Sequence, residues 1–102
     1  MAYSILNFIK KEDLKSFCKK YHIQKLSLFG STLHEELSTE SDIDLLVEFK
    51  EGHIPGLITL SHIENELSQL LGQKVDLRTP QELSVYFRDD VVREAEIQYE
   101  DG

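Results

Sequence analysis

The segment Asp42-Ile43-Asp44-Leu45-Leu46-Val47-Glu48-Phe49 constrains the fold more than any other stretch of this chain. Ile43, Leu45, Val47 and Phe49 alternate with Asp42, Asp44, Leu46 and Glu48, the period of two that a half-buried β-strand requires. An isolated strand is not stable in water, so it needs pairing partners and an apolar cover. Residues 25–29 offer one partner, with Leu26 and Leu28 on a single face. Residues 74–77 offer another, in which Val75 and Leu77 alternate with Lys74 and Asp76. The cover comes from helical patterns. Residues 11–21 set Leu14, Phe17, Cys18 and Tyr21 at helical spacing with lysines opposite, and Leu57, Leu60, Ile63, Leu67, Leu70 and Leu71 do the same ahead of Gly72, a C-terminal stop. Residues Ile5, Leu6, Phe8 and Ile9 read as a short helix or an ordering arm. Thr79-Pro80-Gln81-Glu82 combines a capping threonine, a proline at the first helical position and a glutamate three after the cap, so it reads as a helix start. A last helix is expected over 86–94, then an extended tail through Ile97 and Tyr99. This order of elements predicts an α/β (α+β) fold: a small mixed β-sheet, helices on its apolar face and carboxylates on the other. The expected core is Leu26, Leu28, Ile43, Leu45, Val47, Leu60, Leu67, Val75 and Leu77.

A chain of 102 residues has room for a single domain, residues 1–102. No apolar run approaches the roughly 18 residues that span a bilayer, and Met1-Ala2-Tyr3-Ser4 begins no readable signal peptide. Cys18 has no partner for an internal disulfide and reads as core packing on a helix. A cytoplasmic protein without a membrane segment is the expectation. The 19 acidic residues outnumber the 11 basic ones, for a net charge of −8. Binding to long nucleic acid draws on a basic face, which this composition argues against. A basic protein partner, or a nucleotide carried in with metal, fits better, and charge alone does not choose between them.

Chemistry concentrates between Gly30 and Asp76. Gly30-Ser31 breaks a strand ahead of a short helical segment, an arrangement that turns backbone N–H groups and a hydroxyl toward an anion. Asp42 and Asp44, two apart on a strand, share a face with Cα atoms roughly 6.6 Å apart. Carboxylates aimed at one spot repel unless a cation joins them, and a hard divalent ion such as Mg²⁺ beside a triphosphate suits the pair. Asp76 faces away from Val75 and Leu77. If its strand lies beside residues 42–49, it joins the metal-binding aspartates and is placed to take a proton from an attacking hydroxyl. The plainer alternative makes the aspartates solvated residues on an exposed strand face. Phosphatases and glycosyltransferases that use an Asp-x-Asp pair place an apolar strand before it, whereas here the strand follows. Arg78 shares the face of Asp76, where it either touches phosphate or acceptor or is a surface cation. The four histidines have no paired spacing for zinc.

Gly30-Ser31, ten intervening residues and Asp42-Ile43-Asp44 resemble the signature of polymerase-beta-type nucleotidyltransferases. Asp76, in Lys74-Val75-Asp76-Leu77-Arg78-Thr79-Pro80, stands where that family carries its third acidic residue. The resemblance is strongest to the minimal nucleotidyltransferases, antitoxins found beside helical HEPN-domain RNase toxins. It implies a polymerase-beta-like palm, ATP as substrate with Mg²⁺, nucleotide binding at Gly30 and Ser31, and Asp42, Asp44 and Asp76 as metal ligands and catalytic groups. It further implies AMP transfer to a hydroxyl, a tyrosine of a HEPN-domain toxin. The resemblance departs at Leu33-His34-Glu35, where family members carry a small residue, an arginine and a glycine. That departure supports an alternative, an antitoxin that neutralises its partner by binding alone.

Overall fold

The structure is a computed structural model that describes residues 5–29 and 42–101. Helix α1, Lys11–Lys20, buries Leu14, Phe17 and Cys18. Glu12 and Asp13 in its first turn and Lys19 and Lys20 in its last complement the helix dipole. The chain reverses at His22 in the left-handed region (φ 57°) and enters strand β1, Ile23–Leu28. Strand β2, Ile43–Phe49, runs antiparallel to β1, with Leu26 opposite Val47 and Leu28 opposite Leu45. Helix α2, Leu57–Leu71, then crosses over to strand β3, Val75–Arg78, which is parallel to β2. Gly72 ends α2 in the left-handed conformation (φ 68°), and its N–H returns to the Ser68 carbonyl. Helix α3, Arg88–Glu94, precedes strand β4, Glu96–Glu100, and the sheet order is β3-β2-β1-β4.

One hydrophobic cluster joins α1 and α2 to the sheet. It contains Leu14, Phe17, Cys18, Leu26, Leu28, Ile43, Leu45, Val47, Ile63, Leu67, Val75 and Leu77, with Ile5 and Ile9 closing one end. All nine expected core residues belong to it or pack on it, Leu60 only partly buried. Among the described residues, no helix is long and apolar enough to cross a membrane.

The structure refines this reading at four points. The tail through Ile97 and Tyr99 is a fourth strand, antiparallel to β1, with Leu26 opposite Tyr99 and Lys25 opposite Glu100. The helix start at Thr79 yields a single 3-10 turn, Pro80–Glu82, because Leu83 turns extended (ψ 150°), and α3 begins only at Arg88. Leu57, the first residue of α2, is 80% exposed and does not share the burial of Ile63, Leu67 and Leu71. Finally, the carboxylate face is not bare. Leu46 on that face is buried, opposite the equally buried Ser27, and the turn after β3 lies against β2.

Candidate active site

The parallel pairing of β2 and β3 places Asp44 opposite Asp76. Strand β3 lies at the edge of the sheet, and α2 secures that edge. The Val75 N–H donates to Ser68 Oγ at 3.0 Å, and the Leu77 N–H donates to Glu64 Oε2 at 2.7 Å. Ser68 Oγ in turn donates to the Glu64 carbonyl at 2.8 Å. The backbone on both sides of Asp76 is therefore fixed by side chains of α2. Neither Ser68 nor Glu64 carries a local signal of this role, because only the crossover brings them to β3.

Asp44 and Asp76 open into a cleft of about 270 Å³ with Phe29 and Arg78 beside them, and Glu82, Leu83, Ser84 and Phe87 forming a wall. Phe29 N–H donates to the Asp44 carbonyl at 3.1 Å, which brings the end of β1 to the carboxylates. Arg78 Nε lies 3.1 Å from Asp76 Oδ1 at the cleft, the pairing of a surface cation beside an acidic neighbour. Asp42 stands one residue before β2, outside the cleft lining, with its Oδ2 3.8 Å from Lys74 Nζ. Gly30 and Ser31, and the departure at Leu33-His34-Glu35, lie outside the described residues.

The structure thus brings Asp44 and Asp76 together and leaves Asp42 at the margin. Among the described residues no three His, Cys, Asp or Glu side chains are grouped to hold a metal ion by themselves. The donor set nevertheless fits Mg²⁺. That ion takes oxygen ligands, keeps much of its water, and is held by one or two carboxylates plus substrate phosphates rather than by an all-protein cage. Arg78 and Lys74 offset the carboxylate charges of Asp76 and Asp42.

The larger cavity, about 380 Å³, lies between α1 and β4 and is lined by Leu6, Lys15, Lys19 and Tyr99 among others. It sits toward the opposite edge of the sheet and contains none of the three aspartates, so the smaller cleft is the candidate site. Among the described residues, His22, His53 and His62 take no part in that cleft. The fold stacks His22 on His53, with ring centroids 3.9 Å apart, a pairing that their separation in sequence conceals.

In sequence and in fold the chain is similar to known proteins. Residues 12–101 match the family model for polymerase beta nucleotidyltransferase. The protein adenylyltransferase MntA of Thermococcus cleftensis is 35% identical over 91 residues, which cover 89% of this chain and 86% of that one. A solved structure provisionally described as a minimal nucleotidyltransferase superposes with a TM-score of 0.67 at 34% identity, over 82% of this chain and 84% of its own. The complex of the tri-AMPylated Shewanella oneidensis HEPN toxin with its MNT antitoxin matches with a TM-score of 0.61 at 21% identity, over 88% of this chain and 69% of the other, and shares the fold. On its family model, its sequence relatives and its fold, this chain belongs to the polymerase beta nucleotidyltransferase family.

Proposed function

We propose that this protein is a Mg²⁺-dependent protein adenylyltransferase that transfers AMP from ATP to a tyrosine hydroxyl of a HEPN-domain toxin and so acts as its antitoxin. The observation that carries the reading is the opposition of Asp44 and Asp76 in one cleft, at whose margin Phe29 leads in sequence to Gly30-Ser31. The name of the Thermococcus relative and the AMP-bearing toxin bound to the Shewanella antitoxin supply the chemistry.

Asp42, Asp44 and Asp76 would hold the metal, which when bound neutralises the triphosphate and draws charge from the α-phosphoryl group. The remaining work falls to the chain. Gly30 and Ser31 bind phosphate, and Arg78 orients the Asp76 carboxylate toward the cleft. The acceptor oxygen attacks the α-phosphorus, the bond from that phosphorus to the bridging oxygen breaks, and pyrophosphate leaves. Asp76 accepts the hydroxyl proton. Such a reaction draws on cytoplasmic ATP, and the cytoplasm is the proposed site of action.

The alternative reading keeps the antitoxin role but removes the chemistry, and the Leu33-His34-Glu35 departure favours it. Losing one charge-assisted phosphate contact costs roughly 1.5–3 kcal/mol, which is about a ten- to hundredfold loss of rate. That size describes a slow enzyme, so transfer remains the primary reading. The test is neutralisation of the toxin by the folded Asp42→Asn/Asp44→Asn variant, with the intact mass of the toxin followed in parallel. Transfer by the wild type, with both transfer and neutralisation lost in the variant, is expected. Full neutralisation by the variant, with no AMP added by the wild type, would establish the contact-only reading.

A further inference from the structure

The loop between β3 and α3 is clamped. Arg88 Nε donates to the Pro80 carbonyl at 2.7 Å, while its Nη2 donates to the carbonyls of Gln81 at 3.2 Å and Leu83 at 3.1 Å. One guanidinium therefore ties three carbonyls of the cleft wall. The Thr79 N–H donates to the Glu82 carboxylate at 3.2 Å, and the Phe87 and Arg88 N–H groups both return to the Ser84 carbonyl, at 3.2 and 2.9 Å. Yet this fixed loop holds three consecutive apolar side chains in solvent: Val85 is 70% exposed, Tyr86 92% and Phe87 51%. On a fraying segment such exposure carries little meaning. On a loop ordered in advance it marks a surface built for contact, because the ordering cost of binding has been met in the free protein.

The position of this surface identifies what covers it. Phe87 also lines the cleft that holds Asp44 and Asp76, so the apolar spur continues the place where an acceptor hydroxyl must arrive. Exposed Glu82 and Asp89 flank it in sequence, while the neighbouring Asp90 is already paired with Arg93. A second copy of this chain would bring these acids against their own equivalents, which opposes self-association, whereas a partner with basic residues around an apolar recess complements them. We propose that Val85, Tyr86 and Phe87 form the docking surface for the protein that receives AMP, a partner presenting an apolar recess ringed by basic side chains. This proposal rests on the transfer reaction above for the identity of the partner.

The test compares wild type with Val85→Ser/Tyr86→Ser, whose exposed positions leave the core intact, after thermal melts confirm equal folding. Ile58→Ser, at a position 89% exposed on α2, is the control. The probe is the HEPN-domain protein of the same genome, measured for Kd by calorimetry and for KM and kcat as AMP acceptor. AMP-PNP with Mg²⁺ reports the nucleotide site separately. The double variant raises Kd and acceptor KM tenfold or more, with kcat and AMP-PNP affinity unchanged, while Ile58→Ser changes none of these. A Kd for the double variant within twofold of wild type overturns the proposal, as does a wild type that fails to bind the HEPN-domain protein. A wild-type dimer in sedimentation that the double variant abolishes reassigns the surface to a second copy and overturns it too. If the wild type binds but transfers no AMP, and the double variant still raises Kd tenfold, the transfer reading fails while the docking surface stands.

Discussion

Asp44 and Asp76 face each other across the parallel β2–β3 pair, two carboxylates in register on one face of the sheet. Like charges placed directly opposite destabilise a strand pair through their repulsion, and here Arg78 pairs with the Asp76 carboxylate. A bound divalent cation removes that repulsion. On the proposed metal-binding reading, Mg²⁺ is expected to stabilise the native protein beyond any effect of ionic strength, by about 2.7 kcal/mol at a hundredfold excess over Kd. Thermal melts in MgCl₂ and in NaCl of matched ionic strength check this, and Asp44→Asn removes the excess. Identical melting curves in the two salts would count against a metal at this pair.

Leu46 gives a second prediction. Leu46→Ala costs about 2–5 kcal/mol in urea unfolding, as for a buried leucine. A leucine on a solvated face would cost under about 0.5 kcal/mol. The alternation of β2 assigns Leu46 to the polar side along with Asp42, Asp44 and Glu48, yet it is 2% exposed.

That contrast marks what was legible in the sequence. Strand faces follow from local alternation, so the core positions and the shared direction of Asp44 and Asp76 could be read directly. Helix α2 and its stop at Gly72 likewise follow from local spacing and a local φ requirement. The burial of Leu46 is not written in that alternation, and the turn that lies against β2 is more than thirty residues away in the chain. Strand β4 owes its existence to pairing with β1, and the Ser68 and Glu64 bonds to β3 arise only from the crossover. Such contacts are properties of the assembled fold and leave no periodic trace in the chain. At the site, Asp44 and Asp76 meet as their pattern implied, and Asp42 stands apart with Lys74. The Gly30-Ser31 half of the signature lies outside the described residues.

Cys18 supplies a third prediction. Burial pushes its thiol up to about 12, so almost no thiolate exists near neutrality. Native protein at pH 8 reacts with iodoacetamide more than roughly a hundredfold slower than urea-unfolded protein, since the thiolate is the nucleophile. Mass spectrometry of quenched aliquots reads the rate. Comparable rates in the two states would mean the α1 core opens readily.

The last prediction concerns Glu66, which joins the two helices on the apolar face. Tyr21 Oη donates to Glu66 Oε1 at 2.7 Å, and Lys20 Nζ lies 3.2 Å from the same oxygen. The Tyr21 hydrogen bond, helped by Lys20, holds the Glu66 carboxyl below its ordinary range. The same contacts raise Tyr21 and Lys20 above theirs, in each case chiefly through the hydrogen bond to Glu66. A depressed carboxylate contributes stability above its unfolded value, about 4.3, and loses it as pH falls through the lower folded value. The raised Tyr21 and Lys20 contribute below their unfolded values, about 10 and 10.4, and lose it as pH rises through the folded ones. The cluster therefore stabilises the fold fully between about pH 5 and pH 9. Glu66→Gln removes the charge while leaving Tyr21 an acceptor. The stability gap between wild type and Glu66→Gln is greatest on that plateau and closes in acid, once Glu66 of the wild type is protonated in the folded state. Urea titrations at intervals from pH 7 to pH 3 measure the gap. A gap that stays constant over this range would show that Glu66 acts by packing and hydrogen bonding rather than by charge.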